Sequence, residues 1–303
     1  MENLRLFSKL SLVFGYFFYE VRYLPMGIFF YLKSKLFKRT NIIEIKIEEL
    51  FQRKLGNKLF ILGSGSSLGS MPEEIFKEIK KNSAMSLNFS ITQNFLPTNF
   101  HVFREIGLAN EQDEYADYQL LNELAKLMTD NRSYENAVFF IQDGIKAWAT
   151  NKFLSTIQFQ KPIQIFRYKN SILPNKILLG KGFNSVTHFA STISDCINLG
   201  VLLGYKEIIL CGVDLNDRLY FWQKYPEKCI KISALESSKN DYSDAEHTIE
   251  KAKKTPHRSA ERLIKFVHEN YNVLLKKGIT LSIENPKSPL AEIILVYKSE
   301  NKK

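Results

Sequence analysis

Several short stretches of this chain carry residue types that could do chemistry. Gly63-Ser64-Gly65-Ser66-Ser67-Leu68-Gly69 follows the apolar run Leu59–Leu62 and precedes a helical pattern. Its glycines permit close approach of backbone to a phosphate or ribose, and a helix start favours negative charge. Leu68 stands where the dinucleotide fingerprint needs a third glycine, and no Gly-Lys-Ser/Thr follows, so the loop is neither that fingerprint nor a P-loop. Asn88 ends the next apolar run. Ser191 and Thr192 open a later helix, where hydroxyls and free amides can hold an anion. Asp214, Asn216 and Asp217 follow the apolar strand Ile208–Cys211, outside its carboxyl end, where ligands of helix-covered sheets sit.

His257 precedes the helical pattern HRSAERLIKFVHENY. A histidine at a helix N-terminus has its cationic form disfavoured, which suits a general base; the same place also suits a solvated cap. His247 is a weaker rival, His268 sits mid-helix, and His101 and His188 have no special context. Tyr220, Phe221, Trp222 and Tyr225 crowd the start of a polar insertion; they suit packing, and Tyr220 could also offer its hydroxyl to a phosphate from a lid. No Asp-x-Asp and no His/Cys/carboxylate cluster has ligand spacing, so no metal site is expected.

The elements that must position these residues alternate. Strands are expected at 59–62, 84–87, 100–103, 137–141, 163–168, 208–211 and 279–283. Helices are expected after Ser70, where Ser70 and Glu73 have capping-box spacing, and over 110–128, 192–203 and 257–277. Runs that are apolar throughout belong to strands covered on both faces, and their alternation with helices predicts a three-layer α/β fold with a largely parallel sheet. A lid-like insertion spans about 216–256, inside a domain over 57–293, with a basic tail at 294–303.

The 303 residues can bury a full core, and 45% hydrophobic with 24% charged residues excludes a disordered chain. Three unclustered cysteines fit a reducing compartment. A net charge of +10 implies an anionic partner, and part of that charge lies in residues 1–45. There, the apolar runs 10–19 and 23–32 mix with Arg5, Lys9, Arg22, Lys33, Lys35, Lys38 and Arg39, while Glu20, Arg22 and Pro25 break any spanning segment. This pattern predicts an amphipathic helical arm on an anionic membrane surface, or a helical hairpin packed on protein. Acidic residues dilute the positive charge elsewhere, so nucleic acid is not an expected partner.

Taken in order, the motifs resemble the bacterial sialyltransferases of glycosyltransferase family 42. Gly63-Ser64-Gly65-Ser66-Ser67-Leu68 corresponds to that family's Gly-Asn-Gly-Pro-Ser-Leu, and Asn88 to its Asn at the second strand end. Ser191-Thr192 stands for its Thr-Ser pair, and Leu203-Gly204-Tyr205-Lys206-Glu207-Ile208 with Gly212-Val213-Asp214 for its helix-to-strand run. His257 falls where its catalytic histidine lies, and Asn285-Pro286-Lys287-Ser288 is similar to its late turn.

The resemblance implies a Rossmann-like glycosyltransferase that is inverting, metal-independent and without a cofactor. It would move sialic acid or a related nonulosonic acid from a CMP-sugar donor to a glycan or glycolipid acceptor, such as lipooligosaccharide or capsule. Gly63, Ser64, Gly65, Ser67, Asn88, Ser191 and Thr192 would bind the CMP moiety. His257 would be the base, and Tyr220 and Asn216 would stand at the phosphate-stabilising tyrosine positions. The chain departs from the family at Ser64, Glu105, Phe189, Ile193 and Asn216, around donor and acceptor. The expected location is the cytoplasm, peripheral on the inner face of the cell membrane, and a homo-oligomer is compatible with the sequence. The competing readings are a magnesium-dependent, pterin pyrophosphokinase-type enzyme on a similar Gly-Ser-Gly scaffold and a non-catalytic membrane-associated scaffold.

Overall fold

The structure is a computed structural model and describes residues 24–34, 41–104, 114–144, 147–171, 178–189, 191–217, 219–233 and 259–299. The expected strands form, each within a residue or so of its predicted limits: β2 (Lys58–Leu62), β3 (Ser83–Leu87), β4 (Phe100–Phe103), β5 (Val138–Gln142), β6 (Ile163–Tyr168), β7 (Glu207–Cys211) and β8 (Thr280–Ile283). Two short strands join them at the edges, β1 (Ile42–Glu44) and β9 (Leu295–Val296), so the sheet reaches beyond 57–293 on both sides. The order is β1-β6-β5-β4-β3-β2-β7-β8-β9, with every pair parallel.

Alternate strand residues bury themselves in opposite layers, as the period of two demands. Leu59, Ile61, Met85, Leu87, Ile208 and Leu210 pack with α6 (Thr192–Leu202) and α8 (Ser259–Lys276). Phe60, Leu62, Ala84, Ile209 and Cys211 pack on the other face against α3 (Glu73–Ile79) and Phe221. Further along that face, Phe103, Phe139, Ile141 and Ile165 meet α4 (Glu114–Asp130) and α5 (Trp148–Thr156). The molecule is a three-layer, Rossmann-like α/β sandwich.

The remaining helices are α1 (24–34), α2 (Ile47–Gln52) and α7 (Phe221–Lys224). The predicted capping box at Ser70 does not form. The cap of α3 is Pro72, and Ser70 Oγ donates instead to the Ser67 carbonyl at 3.3 Å within a 3₁₀ turn over Ser66–Ser70. That turn uses up the hydroxyl before the helix begins. At α6 the Ser191 hydroxyl caps its own helix: Ser191 Oγ accepts from the Ile193 amide at 3.2 Å.

Candidate functional site at the carboxyl edge

Strand β2 lies between β3, which follows it in sequence, and β7, which returns after the chain has built β3 to β6. The order reverses here, and the crevice outside the carboxyl ends of β2 and β7 is the topological switch point where α/β sheets bind ligands. Both strands end in glycines that interlock. The Gly63 amide donates to the Cys211 carbonyl at 2.7 Å and the Gly65 amide to the Gly212 carbonyl at 2.8 Å. A Cβ on Gly63 would lie 2.4 Å from the Gly212 oxygen, and one on Gly65 would lie 2.5 Å from Asp214 Oδ2. The glycines are therefore required by the fit of two loops, a demand separate from any ligand.

Asp214 holds this junction together. Its Oδ2 accepts from the Ser67 amide at 2.8 Å and its Oδ1 from Asn285 Nδ2 at 2.7 Å, which ties the ends of β2, β7 and β8. An internal carboxylate thus takes one of the amides that the loop could have turned toward an anion. Beside it, α7 docks on the same loop through the Phe221 amide and the Ser64 carbonyl at 3.0 Å. Ser66 Oγ donates to Asp217, and Lys224 Nζ stands 3.3 Å from Ser66 Oγ and 3.8 Å from Asp217.

A cavity of about 530 Å³ opens here, lined among others by Ser67, Asp214, Asn216, Lys224, Glu284 and Lys287. That volume suits a small-molecule ligand. Two of the lining residues carry a buried polar atom with no partner among the described residues, Ser67 Oγ and Glu284 Oε2. Burial, and secondarily the Asp214 charge, pushes the Glu284 carboxyl up to about 7. Nothing in the sequence singled out Glu284, although its place just past the end of β8 is the signal that the strand-end rule uses.

The other flank gathers the ends of β3, β4 and β6 around the start of α6. Asn88 adopts φ 44°, a left-handed conformation that asparagine tolerates. Its Nδ2 donates to Thr192 Oγ1 at 3.1 Å, and its Oδ1 accepts from the Arg104 amide at 3.2 Å. Ser90 Oγ reaches the Gly63 carbonyl at 2.9 Å, so the two flanks share one scaffold. Asp195, one turn into α6, is fully buried and accepts from Asn170 Nδ2 at 2.8 Å, with Arg104 Nη1 at 3.6 Å. His188 Nδ1 lies 2.6 Å from Asp195 Oδ2. Sequence gave His188 no context because its partner is seven positions on, across a loop-to-helix junction with no recognisable spacing.

The structure thus brings Gly63, Ser64, Gly65, Ser67, Asn88, Ser191 and Thr192 to one edge of the sheet. Asn216 is exposed on the cavity rim, where its Nδ2 donates to the Lys287 carbonyl at 2.8 Å. Tyr220 pairs with Gly65 by an antiparallel bridge, and its ring stacks on Trp222 at 4.3 Å. His257 and His247 lie outside the described residues. Helix α8, which begins two positions after His257, is clamped to the segment before α6: the Arg262 guanidinium sits 4.7 Å from the Phe189 ring centroid, and Phe189 stacks on Phe266.

No protein-family model matches the chain, and no curated protein does. Among solved structures, the chain is similar to one described as the MAf glycosyltransferase from Magnetospirillum magneticum AMB-1, at 19% identity and a TM-score of 0.35. The match covers 60% of this chain and 26% of that one, so the chain spans about a quarter of that protein's length.

Proposed function

We propose that the chain is an inverting glycosyltransferase that moves sialic acid or a related nonulosonic acid from a CMP-sugar to a glycan or glycolipid acceptor. The single observation that carries the reading is the Asn88–Thr192 hydrogen bond beside the Gly63 loop. Residues far apart in sequence, each matching a donor-binding motif of the resembled family, meet at the end of β3, beside the switch point of a parallel sheet. In this mechanism an acceptor hydroxyl attacks the anomeric carbon, and His257 takes its proton. The bond from that carbon to the phosphate oxygen breaks, and CMP departs with the electron pair. Lys224, Ser66 and the Ser67 hydroxyl border the cavity from the loop side and suit the polar groups of a nucleotide.

The test is a thermal-shift panel of CMP, CDP, UDP, ADP and NAD with and without magnesium. CMP alone is expected to stabilise the chain, by about 2.7 kcal/mol at 100 times its dissociation constant. A preference for UDP or NAD refutes the donor class, and a magnesium-dependent ADP response favours the pyrophosphokinase reading. His257→Ala should slow CMP release from CMP-N-acetylneuraminic acid by orders of magnitude while CMP binding persists; unchanged turnover removes the base assignment.

A further inference from the structure

Glycosyl transfer from a nucleoside monophosphate involves two proton-handling sites, one at the attacking hydroxyl and one at the departing phosphate. The described residues hold a histidine built for proton transfer that has no part in the reading above. His188 is fixed by Asp195 at 2.6 Å through Nδ1, which leaves Nε2 as the ring's other proton site. Its side chain is about one-fifth exposed while Asp195 is fully buried, so the ring is pinned at Nδ1 and still reached by solvent. Asp195 is itself held by Asn170 and Arg104. A histidine whose partner carboxylate is anchored by further groups has its tautomer and orientation set in advance.

We propose that His188, positioned by Asp195, is the general acid for the departing phosphate. The assignment rests on the CMP-sugar reading, because it takes its place from the donor residues. His188 lies three positions before the Ser191 cap, and Arg104 joins Asp195 to Asn88, the partner of Thr192. As the anomeric carbon–oxygen bond breaks, its electron pair stays on the phosphate oxygen, and the proton on His188 Nε2 passes to that oxygen. The neutral ring then regains a proton from water. Arg104, Tyr168 and Cys196 are the other charged or titratable groups around Asp195. Burial pushes the tyrosine and the thiol well up, so both stay neutral, and among the described residues Arg104 is the other charge facing Asp195.

The experiment measures CMP release from CMP-N-acetylneuraminic acid against pH in the full-length chain. His188→Gln is expected to cut kcat at least a hundredfold, leave the dissociation constant for CMP within about threefold, and remove a limb on which activity falls as pH rises. Asp195→Asn, which alters the group that fixes the ring, should lower kcat at least tenfold and displace that limb, a readout a merely structural role would leave in place. Full activity in His188→Gln, a falling limb that persists in that variant, or a pH profile unmoved by Asp195→Asn overturns the assignment. A wild-type chain that consumes no CMP-sugar refutes the donor class, and this role with it, which distinguishes that failure from an active His188→Gln. Should His188→Gln melt early, the pH profile of Asp195→Asn decides alone.

Discussion

Glu284 illustrates how a single residue can bind the site to the stability of the fold. Its carboxyl titrates near 4.5 in the unfolded chain and about 7 in the folded one. Between those values the folded state holds the proton and the unfolded state does not, so stability falls as pH rises through that window. Glu284→Gln should therefore flatten the dependence and stabilise the chain at pH 8, on the order of 1–2 kcal/mol after allowance for solvent screening. Urea melts at pH 5 and pH 8 measure this; an unchanged difference between the two would refute it. Asp214 has the opposite character. Asp214→Ala strands the Ser67 amide and the Asn285 amide group and should cost about 2–3 kcal/mol, read as an earlier thermal midpoint with CMP binding weakened. Asp214 was visible in sequence as a strand-end residue, yet its two hydrogen bonds were not, because both partners come from distant loops. The His188–Asp195 pair escaped for a different reason: seven positions across a loop-to-helix junction match no recognisable spacing.

At the scale of elements, legibility followed burial. The central strands β2, β3, β4 and β7 are buried almost throughout, and each was readable as an apolar run. Strands β1 and β9 have three and two residues and keep most of them exposed or partly exposed, so neither periodicity nor apolarity marks them. Helix α5, WATNKFLST, has few strong helix formers and is held by Phe153 and Leu154 in the core, which is tertiary context overriding propensity. In the arm, α1 leaves Leu24, Ile28, Phe29 and Leu32 exposed, with Phe29 at 58%. Their spacing places them along one broad side of the helix. Among the described residues no helix is long and apolar enough to cross a membrane. The expected behaviour is binding in the interface: the full chain should co-sediment with phosphatidylglycerol vesicles, weakly with phosphatidylcholine, and Phe29→Glu should lower binding about tenfold. Equal binding by the variant would assign this face to a protein contact instead.

For the whole molecule, alternation of strand and helix was enough to place the chain among layered α/β proteins, while strand order was not readable from it. The switch between β2 and β7 is a consequence of where the returning strand docks, and only the three-dimensional pairing reveals it. The net charge of +10 likewise acquires meaning from its distribution: residues 1–45 set seven Lys and Arg against three Glu, whereas the cavity sets Lys224 and Lys287 against Asp214, Asp217 and Glu284.

The pairing of β2 with β7 also sets a timetable. Leu59 must wait for Ile208, and the loop after Leu62 has no mate until Gly212 exists. On the ribosome the first wall of the crevice is finished long before the second is synthesised, and closing so distant a contact is slow. Nascent chains halted before Cys211 would expose one open flank of β2, an edge ready to pair with the wrong strand. The ligand's mouth is thus among the last features the polypeptide acquires and the one whose interruption leaves the stickiest intermediate.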